Sequence, residues 1–270
     1  MASQGLRICL VQVEATASKA ENLQRVLSAL ESEGEQCDLV VFPEYCMGYP
    51  ENALSRDYLR EIAEPLGGDF VRKAAAKSAE KQMAVVLPIH EKGDGGALFN
   101  TAVIIDRGKV LGGYRKIHMF DAFGFRESDL FQSGSEAVLF NIGGFPLGVV
   151  TCYDLRFPEL MKSEVMAGAR AVIVPAAWFR GPLKEEQWQT LLMARAQENT
   201  SYVVGVGNGN ANFVGRSIVV DPFGVKVLDL GPGNRIGQYE IDDSRVTEAR
   251  QRIPVLEQSR SLQNIRCKQL

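Results

Sequence analysis

At 270 residues, with 46% hydrophobic and 23% charged side chains, the chain is ordinary globular stock, long enough for one large α/β domain or two small ones, of which one is the favoured reading. Its formal net charge of −3 comes from interspersed acids and bases, leaving no basic stripe for nucleic acid, no polybasic membrane patch and no acidic tail. The first residues lack an export signal and no apolar run approaches the roughly 18 residues of a membrane span, so the expectation is a cytoplasmic protein without membrane or nucleic-acid partners.

The five cysteines, Cys9, Cys37, Cys46, Cys152 and Cys267, are an odd and scattered set with no Cys-x-x-Cys pair, which fits free thiols in a reducing compartment. Only His90 and His118 could join them around zinc, and neither lies at metal-ligand spacing; no metal and no cofactor is expected.

Residues 6–13 read as a strand. Residues 20–34 repeat Leu23, Val26, Leu27 and Leu30 at helical spacing, and residues 38–44 form a second strand. Strand, helix and strand so close together make a βαβ unit, whose functional residues collect at the carboxyl ends of the strands. Glu44 stands at such an end, directly after Pro43, which cannot donate to a sheet ladder and stops the strand. A second helix is expected over 67–82 and a strand over 83–90. Residues 100–106 and 110–116 then form a hairpin around Arg107-Gly108. That arm ends on Lys116, inside Tyr114-Arg-Lys-Ile-His-Met-Phe120. Most lysines are solvated surface charges, but one among aromatic residues at a strand end is partly desolvated. Residues 120–135, with Glu127 in their middle, read as a long loop of the kind that walls or covers a pocket.

The run Pro146-Leu-Gly-Val-Val-Thr-Cys152 is a buried strand ending on a cysteine, and Pro158-Glu159 marks the first turn of a helix reaching about Gly168. Cys152 thus occupies a strand-to-helix corner, where the Tyr153 amide can meet a developing oxyanion. Further along come a strand at 171–175 leading into Trp178, a helix at 185–199 and a strand at 201–206. Gly205-Val-Gly-Asn-Gly209 has the look of a dinucleotide loop, but the strand pattern at 213–220 follows it where a helix would be needed, so no such site is expected. A hairpin arm at 225–230 follows a turn at Asp221-Pro-Phe-Gly224, and beyond Val246 the pattern weakens into an irregular tail. One domain over 6–246 and a tail over 247–270, packing in an oligomer interface, is the resulting organisation.

Glu44, Lys116 and Cys152 are each weak signals alone, yet all three stand at strand ends of one sheet system. A thiol with an ordinary pKa is only a few per cent ionised at neutral pH, so a nucleophilic cysteine needs a base or a nearby cation. Glu44 as base, Cys152 as nucleophile, and Lys116 with the Tyr153 amide around the oxyanion define acyl transfer through a thioester.

The segments Phe42-Pro-Glu44-Tyr, Tyr114-Arg-Lys116-Ile-His and Cys152-Tyr-Asp-Leu-Arg-Phe-Pro-Glu-Leu160 resemble the three signatures of the nitrilase superfamily, the carbon–nitrogen hydrolases. The resemblance implies a four-layer αββα sandwich that pairs into dimers, with the roles above at Glu44, Lys116 and Cys152. It also implies a second glutamate after the lysine, here Glu127, orienting Lys116 and the substrate amide. Residues 193–199 and the cysteine segment are most similar to the small amidases, including the omega-amidase and deaminated-glutathione amidase branches, which favours a primary amide over a nitrile. Gly215-Arg-Ser217 departs from the Gly-His-Ser usual there, and Arg216 is a candidate for altering the pocket rim. Trp178 is the candidate pocket wall, with plain core the competing role, and Arg156 or Arg180 are candidates for holding a substrate carboxylate. Alternatives left open are a nitrilase or N-carbamoyl hydrolase with the same triad, a Cys–His hydrolase using His118, acyl transfer to an acceptor other than water, and a non-catalytic binding protein of this fold.

Overall fold

The computed structural model describes residues 5–33, 36–51 and 54–260. The first half runs β1 (Gly5–Gln12), α1 (Lys19–Glu33), β2 (Leu39–Val41), α2 (Arg56–Ile62), α3 (Asp69–Lys81), β3 (Ala84–Lys92), β4 (Leu98–Asp106) and β5 (Lys109–Arg115). A two-residue-per-arm hairpin, β6 (Asp121–Ala122) and β7 (Phe125–Arg126), leads into the second half: β8 (Leu139–Ile142), β9 (Phe145–Val149), α4 (Pro158–Met166), β10 (Ala171–Ala176) and α5 (Lys184–Asn199). Next come β11 (Tyr202–Gly207), β12 (Ile218–Val220), β13 (Lys226–Asp229), β14 (Arg235–Asp242), α6 (Asp243–Arg252) and α7 (Val255–Arg260).

Strand side chains alternate, so a strand apolar at every position must be covered on both sides. Leu6, Ile8 and Leu10 of β1 join one core with Leu39, Val41, Ala84 and Val86, while Cys9 and Val11 join another with Val40, Val85 and Leu87. The second core is closed by α1 and α3 through Val26, Leu30, Phe70, Val71 and Ala74. The first lies against a second sheet, whose far face is covered by Leu160 and Met161 of α4 and by Trp188 and Leu192 of α5. The result is a four-layer αββα sandwich.

One six-stranded sheet is ordered β14-β1-β2-β3-β4-β5 and the other β13-β12-β11-β10-β9-β8. Each has a parallel centre, β1-β2-β3 in one and β9-β10-β11 in the other, with antiparallel strands outside it. The carboxyl ends of the central strands are therefore where loops from both sheets can meet.

Several elements differ from the sequence expectation. Helix α2 is short and is started by Ser55, whose hydroxyl accepts from the Tyr58 amide at 3.2 Å; seven residues give too little periodicity to read. The strand expected over 213–220 begins only at Ile218, because Gly215 and Arg216 take left-handed φ values of 66° and 46° and turn the chain first. Residues 243–252 and 255–260 are helices where the sequence reads as irregular. Their buried stripe is narrow, Val246 and Ala249 in α6, so the pattern is dilute. Residues 261–270, including Cys267, lie outside the described residues. Among the described residues, no helix is long and apolar enough to cross a membrane.

The glycines of the 205–209 segment have a packing role. Gly205 sits within β11, and a Cβ there would lie 2.7 Å from the Trp188 ring of α5. No helix opens after them, as the sequence implies.

Candidate active site

Glu44 is placed by the end of β2: Pro43 stops the strand, and Tyr45 turns the chain with a left-handed φ of 63°. The carboxylate is only 1% exposed and each oxygen is engaged. Oε1 accepts from Asn100 Nδ2 at 2.8 Å and from Lys116 Nζ at 3.0 Å, and Oε2 accepts from the Ala177 amide, just past β10, at 2.7 Å. Asn208, past β11, donates to the Glu44 carbonyl at 3.0 Å. Both sheets thus hold this residue.

Lys116 follows β5 and continues its pairing, its amide donating to the Asn100 carbonyl at 2.9 Å. Its ammonium also donates to Glu127 Oε2 at 2.7 Å. Burial opposes the charge on Lys116, but the carboxylates of Glu127 and Glu44 outweigh it and hold the ammonium well above the ordinary lysine range. Glu127 opens a single 3₁₀ turn in the predicted loop and is fully buried. Tyr45 Oη and Asn100 Nδ2 donate to its Oε1, each at 3.1 Å, and the Phe120 amide donates to Oε2 at 2.7 Å.

Cys152 lies beyond β9 at the start of a 3₁₀ turn over Cys152–Arg156, which separates the strand from α4. Its φ is 48°, a left-handed value that a side-chain-bearing residue keeps only when its surroundings impose it. Asp154 supplies that imposition. Its Oδ2 accepts from the Thr151 amide at 3.1 Å and from Tyr114 Oη at 2.7 Å, while Oδ1 accepts from the His118 amide at 2.8 Å. Burial, then the charge of Glu44, push the Cys152 thiol well above its ordinary pKa, with Lys116 opposing. Both effects favour the protonated thiol over the thiolate.

Glu44, Lys116, Cys152, Tyr153 and Trp178 line one cavity, which also takes in Arg156 and Lys184. Its inner end is tight, with about 20 Å³ of free volume. It opens past Phe120 and Phe179 into an outer pocket of about 540 Å³ walled by Phe123, Phe125 and Arg180. Trp178 is 5% exposed and anchored by its Nε1, which donates to the Lys184 carbonyl at 3.1 Å. The Arg156 guanidinium lies 4.9 Å from the Trp178 ring centre. Glu127 reaches Lys116 from behind and does not line the cavity.

Two sequence candidates fall elsewhere. The ring of His118 points its Nδ1 to Asp154 Oδ1 at 2.8 Å and stacks on Phe157 at 3.6 Å, away from the cavity lining. Arg216 is engaged by Asp229 at 2.7 Å and Glu185 at 3.1 Å and does not line the rim either. Conversely, Asn100, Tyr45, Asp154 and Lys184 escape sequence reading. Asn100 carries the one available signal, an amide side chain inside an otherwise apolar strand that a buried setting must satisfy.

Residues 7–251 match the carbon-nitrogen hydrolase family model. The chain belongs to the carbon–nitrogen hydrolase family. Its relatives include a deaminated glutathione amidase of Escherichia coli O157:H7, 35% identical over 250 residues, spanning 91% of this chain and 94% of that protein. The omega-amidase NIT2 of Bos taurus is 31% identical over 267 residues, spanning 94% of this chain and 95% of the other. Among solved structures, Saccharomyces cerevisiae Nit3, a member of branch 10 of the nitrilase superfamily, superposes with a TM-score of 0.85 at 30% identity, covering 95% and 97% of the two chains. The C. elegans NitFhit protein gives 0.88 at 29% identity over 98% of this chain and 67% of that one. As a carbon–nitrogen hydrolase, the chain is an enzyme acting on C–N bonds, and its αββα layers are those of this family.

Proposed function

We propose that the enzyme is an amidase, converting a small primary amide and water to a carboxylic acid and ammonia through a thioester on Cys152. The observation that carries this reading is the joining of Glu44 to Lys116 at 3.0 Å on the wall of the cavity that Cys152 also lines. Because burial and the Glu44 charge favour the protonated thiol, attack requires a base, and Glu44 is the carboxylate that lines the same cavity. Sulfur bonds to the amide carbon as Glu44 takes its proton; Lys116 and the Tyr153 amide stabilise the oxyanion. Glu44 then returns the proton to the departing nitrogen, releasing ammonia. Water activated by the same carboxylate cleaves the thioester and restores the thiol. Glu127 holds Lys116 in place, and Trp178 closes one wall.

The substrate carries an anionic group. Arg156 and Lys184 line the cavity, and their contacts there are with neutral groups: Arg156 donates to Gln187 Oε1 at 2.8 Å and Lys184 Nζ lies 3.9 Å from the Phe123 ring centre. Burial, then the Arg156 charge, lower the Lys184 pKa, a cost that a bound carboxylate would relieve. The free thiols of Cys9, Cys37, Cys46 and Cys152 fit a reducing cytoplasm. We further propose a homodimer in which the segment 247–270 packs at the interface.

The test is ammonia release from a panel of primary amides with and without a terminal carboxylate, alongside nitriles and N-carbamoyl compounds. Turnover of the carboxylated amides with a hydroxylamine-trappable acyl group on Cys152 is expected. Full activity in Cys152→Ala, or turnover of nitriles alone, would overturn the reading.

A further inference from the structure

At the opposite end of β2 from Glu44, three ligand-type side chains converge outside the active site. Cys9 lies on β1 beside Val40 of β2, Cys37 precedes β2, and Glu33 is the last residue of α1. Their Sγ and carboxylate atoms all lie within 4.8 Å of one another, and Cys9 Sγ is 3.9 Å from Glu33 Oε2. Thiolate and carboxylate ligands on tetrahedral zinc stand about 3.5–3.8 Å apart, given metal–sulfur and metal–oxygen bonds of about 2.3 and 2.0 Å. Small side-chain adjustments would therefore suffice.

The surroundings have the features of a supported site. Gln238 Nε2 of β14 donates to Glu33 Oε2 at 2.7 Å, and Ser32 Oγ donates to Oε1 at 3.1 Å, fixing the carboxylate from two sides. Cys9 is fully buried while Glu33 is partly exposed, so a cation has an access route from solvent on the Glu33 side. Two sulfurs and one oxygen select a borderline-soft divalent ion over magnesium or calcium.

We propose that Cys9, Cys37 and Glu33 bind one zinc ion, with water as fourth ligand, tying the end of α1 to the β1–β2 pair. The role is structural and separate from amide hydrolysis. Sequence spacing hides it, because the cysteines are 28 positions apart with no histidine near them. Zinc binding releases the thiol protons to solvent and involves no redox step.

The test titrates cobalt(II) into fully reduced protein, followed by zinc competition and thermal unfolding. One equivalent should produce a thiolate-to-cobalt charge-transfer band that zinc abolishes, in the wild type and in Cys152→Ala alike. Zinc should raise the midpoint of unfolding by several degrees in the wild type and leave Cys37→Ala unmoved. Cys37→Ala should lose the band and keep its ammonia release. Absence of the band in reduced wild type, its persistence in Cys37→Ala, or a Cys9–Cys37 disulfide that takes up no metal once reduced would each overturn the proposal.

Discussion

At the residue scale, one buried cation stands between two buried carboxylates, and the balance decides what each substitution does. Removing the Lys116 ammonium leaves Glu44 and Glu127 uncompensated at 1% and 0% exposure. Breaking a buried pair in this way costs about 3–5 kcal/mol. Lys116→Met is therefore expected to be strongly destabilised in urea titration, and Glu127→Gln on the same background should recover part of the loss. Glu44→Gln keeps the shape and removes the proposed base; a fall in kcat of about 10²–10⁴-fold is expected in steady-state ammonia assays. His90 supplies a pH signature independent of catalysis. Burial lowers its pKa from 6.5 to about 4, and its Nε2 lies 2.8 Å from the Gly48 carbonyl. Between those values the unfolded chain binds the proton and the folded chain does not. The contribution, up to about 3 kcal/mol, is complete above pH 6.5 and is lost as pH falls toward 4. His90→Gln should flatten the rise of the urea midpoint across that window; an unchanged slope would refute the assignment.

At the element scale, the strand-to-helix corner is a separate 3₁₀ turn, and its anchor is Asp154 more than the helix behind it. Four contacts, to the Thr151 amide, Tyr114 Oη and both the amide and Nδ1 of His118, gather on one buried carboxylate. Tyr114 belongs to β5 of the other sheet, so this carboxylate ties the Cys152 turn to the strand that leads into Lys116. Asp154→Asn replaces one acceptor oxygen by a donor and leaves at least one of those groups unpaired, a loss of about 1–3 kcal/mol. Its activity is expected to fall at least tenfold, with kcat more affected than KM, because the sulfur loses its imposed geometry and not its substrate contacts. Arg156→Ala should show the opposite split, raising KM for carboxylated amides while sparing those without a carboxylate.

At the scale of the whole molecule, light scattering should report twice the mass of one chain, and deletion of residues 253–270 should shift that mass toward one chain if the interface proposal holds. The βαβ units were legible in the sequence, while the four-layer plan came only from the resemblance to the carbon–nitrogen hydrolases. Strands apolar at consecutive positions, as in Val40-Val41 and Val85-Val86, have to be covered on both faces, and helical repeats such as Val26 and Leu30 supply the cover. That Glu44, Lys116 and Cys152 meet at one cavity was legible too, because each closely follows a strand and strand ends are where an α/β sheet presents its chemistry. The residues that complete the site were not. Asn100 touches Glu44 and Glu127 across 56 and 27 positions, and Asp154 touches Tyr114 across 40. Local periodicity records which face a residue occupies and nothing about its partner on another element. The sequence by itself determined the alternation of strands and helices and the strand-end positions of Glu44, Lys116 and Cys152, since burial and strand termination are properties of short stretches. Only the tertiary structure decided which carboxylate braces the lysine, which one sets the thiol, and which cations face an open pocket, because those facts exist only where distant segments meet.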